Sequence, residues 1–231
     1  MAKGHFLSGV TAGLLSAPLA VQLAPVGTHT PAEYIARAAA FSGLVGFGAL
    51  WPDIDHPPAL ISKIFGPVSW LLNHLMMWIS RLVYEATRTE KDKPGRIHRT
   101  FTHTNLASLL VGGLLYAGLL ATPVHAWAAF LAVGFTLGAL AHIWFIGDAC
   151  TVSGVPHPLA PLVVINGKRW STVGFPRFMR FRAGGKRGTV IKGEIIATWA
   201  FMASAVLVGS LTLIAYGVPW WMPVITLLGG S

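Results

Sequence analysis

Two short stretches of this chain carry carboxylates and imidazoles at spacings that chemistry can use. WPDIDHPP, residues 51–58, sets Asp53, Asp55 and His56 side by side between prolines, and HRTFTHT, residues 98–104, supplies His98 and His103. His142 and Asp148 follow in HIWFIGD, His5 stands near the start, and Glu194 opens a late apolar run. A charge in apolar surroundings is costly unless it is paired or bound to a metal. The acidic stretch is therefore either a wet loop at a helix end or a place where something cationic sits. Imidazole nitrogen with carboxylate oxygen suits zinc or manganese, whereas calcium takes an all-oxygen shell. In a locally extended Asp53-Ile54-Asp55 the two acids point the same way. They can then bridge two metals, or divide into a ligand and a general base, Asp55. Pro52, Pro57 and Pro58 predict a fixed, non-helical loop. So many candidate ligands imply two or more ions, an arrangement that hydrolyses phosphate esters by polarising the ester and activating water. Arg96 and Arg99, beside the histidines, and Arg177, Arg180 and Arg182 suit a phosphate-bearing substrate.

Something apolar must position these residues. The chain has 231 residues, 54% of them hydrophobic and 11% charged, less than half the roughly 25% charge usual for soluble domains. This composition predicts an all-α, multi-pass membrane protein forming a single body over residues 1–231. Five spans are expected at about residues 6–26, 34–51, 104–122, 124–146 and 194–217, each near the ~20 residues a bilayer requires. Gly43, Gly46 and Gly48 suit close helix packing in the second. Residues 63–88 read as an amphipathic helix lying along the inner interface, and WWMPVITLLGG as an interfacial anchor. The first apolar run has no basic leader beyond Lys3 and reads as an uncleaved helix. With the N-terminus inside, only Arg37 of the 17 Lys and Arg falls near the outer face, as the positive-inside rule favours. That orientation, chosen from Lys and Arg alone, also brings His5, Asp53, Asp55, His56, His98, His103, His142, Asp148 and Glu194 to the inner face. The net charge of +9 then points to anionic lipid and away from nucleic acid. His29, His74, His125 and His157 read as interfacial polar residues, and the single Cys150 excludes an internal disulfide.

GHFLSG, PDIDHP, HRTFTHT and the sequence from His142 through Asp148 to GVP resemble the YdjM-like family of inner-membrane metal-dependent hydrolases. The resemblance runs from residue 4 to about 194. In motif logic that family is similar to the zinc-dependent phospholipase C and single-strand nuclease superfamily, helical folds with a multi-zinc cluster. The resemblance implies that His5, Asp53, Asp55, His98, His103, His142 and Asp148 form the metal-site set, with Glu194 in a longer version. Two positions depart from the family pattern. His142 and Asp148 are six apart where H-x-x-x-D is common, so a helix bulge or a helix end before Gly147 is needed to bring them together. Thr104 stands where serine is usual.

The function these features imply is metal-dependent hydrolysis of a phosphoester, plausibly a membrane lipid or a lipid-linked substrate, at the cytoplasmic face of the inner membrane. Two other classes fit the same residues. One is a divalent-cation transporter or channel, since ionisable residues in a membrane often mark an ion path. The other is a non-catalytic module whose metal staples helix ends while its basic loops bind a regulator or anionic lipid.

Overall fold

The computed structural model describes residues 2–25, 30–93, 98–151, 153–176 and 180, with 199, 200, 202–204, 207 and 211. It is mostly helical. Among the described residues the named α-helices follow in order: α1 (Ala2–Leu15), α2 (Ala17–Leu23), α3 (Pro31–Gly48), α4 (Pro67–Thr87), α5 (Asn105–Leu120) and α6 (Ala128–Trp144). Two-residue strands β1 (Val155–Pro156) and β2 (Thr172–Val173) pair antiparallel, Val155 opposite Val173. Thr30 caps α3 by accepting from the Glu33 amide, and Thr104 caps α5 by accepting from the Ala107 amide, each satisfying a donor that a helix start leaves open.

The helices α1, α3 and α6 pack on one another, with α5 against α6. Glycine makes this approach close enough. A Cβ on Gly9 of α1 would lie 2.6 Å from the Ala49 Cβ, and one on Gly138 of α6 would collide with the Val45 carbonyl oxygen and lie 2.7 Å from the Ala49 amide. Backbone therefore meets backbone, the small-residue packing favoured in lipid, where apolar burial supplies little drive between helices. Phe41 and Phe130 meet edge to face at 5.1 Å in the cluster that joins α2, α3 and α6.

The expectation of five spans is corrected. Among the described residues two segments are long and apolar enough to cross a membrane, Ala32–Asp55 and His125–Cys150, or three if α1 and α2 form one bent span. The first apolar run is broken because Ser16 and Pro18 interrupt it, and the two helices meet at 70°. Helix α5 has 16 residues, about 24 Å of rise, against a hydrocarbon core of about 30 Å. The run at 194–217 and the WWMPVITLLGG tail fall almost wholly outside the described residues.

Helix α4 has its polarity reversed. Its buried side carries Ser69, Asn73, Ser80 and Tyr84, and its exposed side carries Val68, Trp70, Leu71, Leu75, Trp78 and Leu82. The inward polar groups are used. Asn73 Nδ2 donates to the Ile54 carbonyl (2.6 Å), Ser80 Oγ faces Asp55 Oδ2 (3.4 Å), and the Tyr84 hydroxyl donates to the Lys93 carbonyl. The helix thus supports the 51–55 turn from behind and turns its apolar side outward, as a membrane-facing helix does.

Replacing Gly138 by valine is expected to force α3 and α6 apart and to cost about 1–3 kcal/mol of stability. Gly113, whose added Cβ would meet nothing within 4 Å, is the control. Thermal unfolding in detergent should show a lowered midpoint for Gly138→Val and an unchanged one for Gly113→Val.

Candidate metal centre

Four chain segments converge at one end of the helix bundle. His5 comes from α1, and Asp53 from the 3₁₀ turn Trp51–Asp55 that follows α3. His98 and His103 precede α5, His142 lies in the last turn of α6, and Asp148 opens a 3₁₀ turn (Asp148–Cys150) just beyond it. Helix α6 ends at Trp144. Ile146, with φ 51°, then reverses the chain, and Gly147 packs so closely on the His142 carbonyl that no side chain fits there. Ser8 of α1 secures this return by donating to the Phe145 carbonyl. The helix end before Gly147 brings Asp148 Oδ2 to 3.5 Å from His142 Nε2 and 3.2 Å from His103 Nε2. Asp53 Oδ1 lies 3.7 Å from His103 Nε2 and 3.9 Å from His142 Nε2. The His5 ring stacks on His142 at 3.8 Å and 17°.

Six residues thus form three overlapping groups that could hold a metal ion: His5, Asp53, His142; Asp53, His98, His103; and His103, His142, Asp148. Within each group the ligand atoms lie within 4.8 Å of one another. The fit to a metal is visible in what these atoms lack. Among the described residues, His5 Nδ1, His103 Nε2, His142 Nε2 and Asp148 Oδ2 are buried without an aligned hydrogen bond, while Asp148 Oδ1 is paired with Arg99. Buried polar atoms are nearly always satisfied, so a concentration of exceptions at one point suits a cation, which needs lone pairs aimed at it. Outside the spans, His103 carries the electrostatic signature. Burial pulls its imidazole down, but Asp148 and Asp53 outweigh that and raise it to about 9. The carboxylates demand a positive charge, and without a metal a proton on His103 supplies it.

The opposite nitrogens are equally ordered. His98 Nδ1 donates to Asp55 Oδ1 (2.9 Å), and His142 Nδ1 donates to the Ala49 carbonyl (2.6 Å). Thr102 Oγ1 donates to Asp55 Oδ2 (2.9 Å) and lies 3.1 Å from His103 Nδ1, whose proton it accepts. Each of the three imidazoles therefore holds a proton on Nδ1 and presents Nε2, the arrangement that metal-bound histidines adopt. A profile of the YdjM inner membrane proteins matches residues 1–221. The chain belongs to the YdjM inner membrane protein family. Comparisons with curated proteins and with solved structures find no match.

Several expectations for this family member are revised by the geometry. The 51–55 stretch is a 3₁₀ turn with Pro52 in its first turn, not an extended loop. At about 120° per residue, side chains two apart diverge where a strand would align them. Asp53 faces the imidazoles, while Asp55 is turned away and lies in none of the three ligand groups. Its oxygens instead serve His98, Thr102 and Ser80, which makes it a positioning residue. His56 stacks on His98 at 4.4 Å. Arg99 is drawn in, with Nη2 2.9 Å from Asp148 Oδ1 and Nη1 donating to Thr151 Oγ1 (3.2 Å). Its φ of 61° is a left-handed conformation uncommon for a side chain of this size. His74 and His125 bond only carbonyls of their own turns at exposed positions. Arg96, Glu194, Arg177, Arg182 and His29 lie outside the described residues. Sequence reasoning missed Thr102 and Ser80. The signal was there in Ser69, Asn73, Ser80 and Tyr84, polar residues at helical spacing inside an apolar run.

A cavity of about 620 Å³ adjoins the centre, with His98 and Arg99 in its lining. Asp92 ties its walls together by accepting from the Thr89 amide (2.7 Å), the Thr89 hydroxyl (2.9 Å), the Trp170 amide (3.2 Å) and the Arg169 amide (3.3 Å). Burial tends to raise the Asp92 carboxyl, but these donors hold it below its ordinary value of 3.8.

Asn at position 55 keeps the size of Asp55 but removes the charge that His98 and Thr102 address. Asp55→Asn is expected to weaken metal binding by about 10–100-fold with the helical circular dichroism unchanged, measured by competition against a chelating dye. Asp92 gives a pH signature. Because its folded value is depressed, its contribution is complete above the unfolded value and is lost as pH falls through the folded one. Asp92→Asn should therefore lower the unfolding midpoint at about pH 7, and the difference from the parent should shrink as pH falls below the ordinary carboxylate value of 3.8.

Proposed function

We propose that this protein is a membrane-bound, metal-dependent hydrolase of phosphoesters, its centre facing the cytoplasm from a multi-pass body in the inner membrane. The observation that carries the reading is the convergence of His103 Nε2, His142 Nε2 and the Asp148 carboxylate, all buried, in one group of candidate ligand atoms within 4.8 Å of one another. His5, Asp53, His98, His103, His142 and Asp148 would hold the metal, zinc or manganese by their donor types, and two or more ions by the overlap of their groups. When bound, such ions supply Lewis acidity to a phosphoryl oxygen and make water acidic enough to react near neutral pH. The chain's own residues do the rest. Asp55 and Thr102 hold His98 and His103 in the tautomer that presents Nε2, and the Ala49 carbonyl does the same for His142. Arg99 lines the cavity and is paired with Asp148, and its guanidinium, a fork matched to phosphate oxygens, would be available to a phosphate entering from the cavity.

The test is the metal content of detergent-purified protein by mass spectrometry, parent beside His103→Ala/His142→Ala, followed by hydrolysis of bis(p-nitrophenyl) phosphate. The parent is expected to retain zinc or manganese at stoichiometric level and to cleave the diester. The double variant should lose the ion and fall to the uncatalysed rate. A parent that holds no metal after purification without chelators and after attempted reloading would remove the basis for the reading.

A further inference from the structure

We infer that the adjoining cavity is a second anion site, built by Lys91, Lys93 and Lys168, and that the substrate is a phosphoester carrying a further anionic group. The inference rests on the hydrolase reading for which bond is cleaved, but not for what the lysines bind. The lining contains Lys91, Lys93, Arg99 and Lys168 against one carboxylate, Asp92. That carboxylate is already occupied by Thr89, Arg169 and Trp170. Among the described residues none of the three lysines has an ion-pair partner. Cations collected around one concavity repel one another unless an anion joins them, and a cleft with low-dielectric walls focuses that field on an anionic ligand.

The lysines are also held by a formed scaffold. Ile165 and Lys168 pair across an Asn166-Gly167 turn in which both central residues have positive φ, 51° and 73°, as a tight hairpin of this kind requires. Gly167 leaves room for Lys91 to lie across the turn, because a Cβ there would fall 2.8 Å from Lys91 Nζ. The Thr89 hydroxyl lies 2.8 Å from the Gly167 carbonyl, which joins the 89–93 segment to the same turn. Ser171 also belongs to the lining, and its hydroxyl is buried without a hydrogen-bond partner among the described residues. With three lysines, Arg99, two serines and two threonines in its wall, the cavity suits the polar, anionic part of a substrate.

The chemistry is shared by soluble bisphosphates and by lipids that carry a phosphate beyond their phosphodiester, and paired probes separate the two sources. Full-length protein in detergent is titrated calorimetrically with glucose 1,6-bisphosphate and glucose 6-phosphate, with and without added zinc. Mixed micelles of phosphatidylinositol 4-phosphate, and of phosphatidylinositol, then serve as competitors. In the parent the bisphosphate should bind more tightly than the monophosphate. Lys91→Gln/Lys93→Gln/Lys168→Gln should lose about tenfold or more of the bisphosphate affinity, with metal content and circular dichroism unchanged. Competition by the phosphorylated lipid but not by phosphatidylinositol supports the site and assigns it to a headgroup. Bisphosphate binding without lipid competition supports it and assigns a soluble ester. Lysine-dependent binding in a protein that holds no metal would keep the anion site while the hydrolase reading fails. Equal affinity of the parent and the triple-lysine variant for the bisphosphate would overturn the inference.

Discussion

The carboxylate of Asp55 is the constraint on which the arrangement of the centre depends. One oxygen takes the Nδ1 proton of His98 and the other takes the hydroxyl proton of Thr102, which in turn accepts from His103. A neutral imidazole has one donor and one acceptor nitrogen, and which is which follows from the partner of the other. A single buried acid thus decides for two rings that the lone pair faces the centre. Its own position is decided by helix α4, whose Ser80 reaches the same carboxylate and whose Asn73 holds the neighbouring Ile54 carbonyl. The polar side of α4 has to face inward for this to work, and its apolar side is left to face outward. The orientation of a surface helix and the tautomers of a buried site are therefore one problem with one solution.

Close backbone packing supplies the second condition. His5 and His142 lie on different helices, yet their rings stack at 3.8 Å, which requires α1, α3 and α6 to approach more closely than ordinary side chains allow. Glycines at the contacts permit this, and Ala49, at the point where α3 ends, serves both purposes. Its Cβ lies where Gly9 must have none, and its carbonyl accepts the Nδ1 proton of His142. A shift of α3 against α6 would move this carbonyl and release the ring. Packing in the membrane body and orientation at the site are coupled through that one residue.

How legible the centre is from sequence depends on which physical scale sets each feature. His5, Asp53, Asp55, His98, His103, His142, Asp148 and Glu194 stand out in the sequence because imidazoles and carboxylates are few in so apolar a chain and each lies near the end of an apolar run. Their convergence at one end of the bundle comes from the packing of α1, α3 and α6 and the turns that follow them. The different roles of Asp53 and Asp55 depend on local backbone: an extended stretch and a 3₁₀ turn accept the same residues, but they send side chains two apart in the same or in divergent directions. The number of spans depends on helix length and bending, which hydropathy averages conceal, as the break at Ser16 and Pro18 and the 16-residue α5 demonstrate. The lysine-lined cavity is the least legible feature. Lys91 and Lys168 become neighbours only because Asp92 collects donors from a segment nearly eighty residues away, and charge counts along a chain hold no trace of such a contact.

Electrostatics gives these parts a common sense. Asp53 and Asp148 are brought to the same buried imidazoles, an arrangement that is unfavourable unless a positive charge stands between them. The protein offers two partial answers of its own, the proton on His103 and the guanidinium of Arg99 on Asp148. Both are replaceable. A divalent cation would displace the proton, as ligand deprotonation on metal binding generally does, and would compete with Arg99 for Asp148. Arg99 also lines the cavity, so a guanidinium released from the carboxylate would have its nearest alternative partner in an anion lodged there. On this reading metal loading and anion binding favour each other: the ion frees the arginine, and an anion holding the arginine leaves Asp148 to the ion. Any such coupling is reciprocal, and the residue common to both sites is the one held in a left-handed backbone conformation between His98 and Thr100.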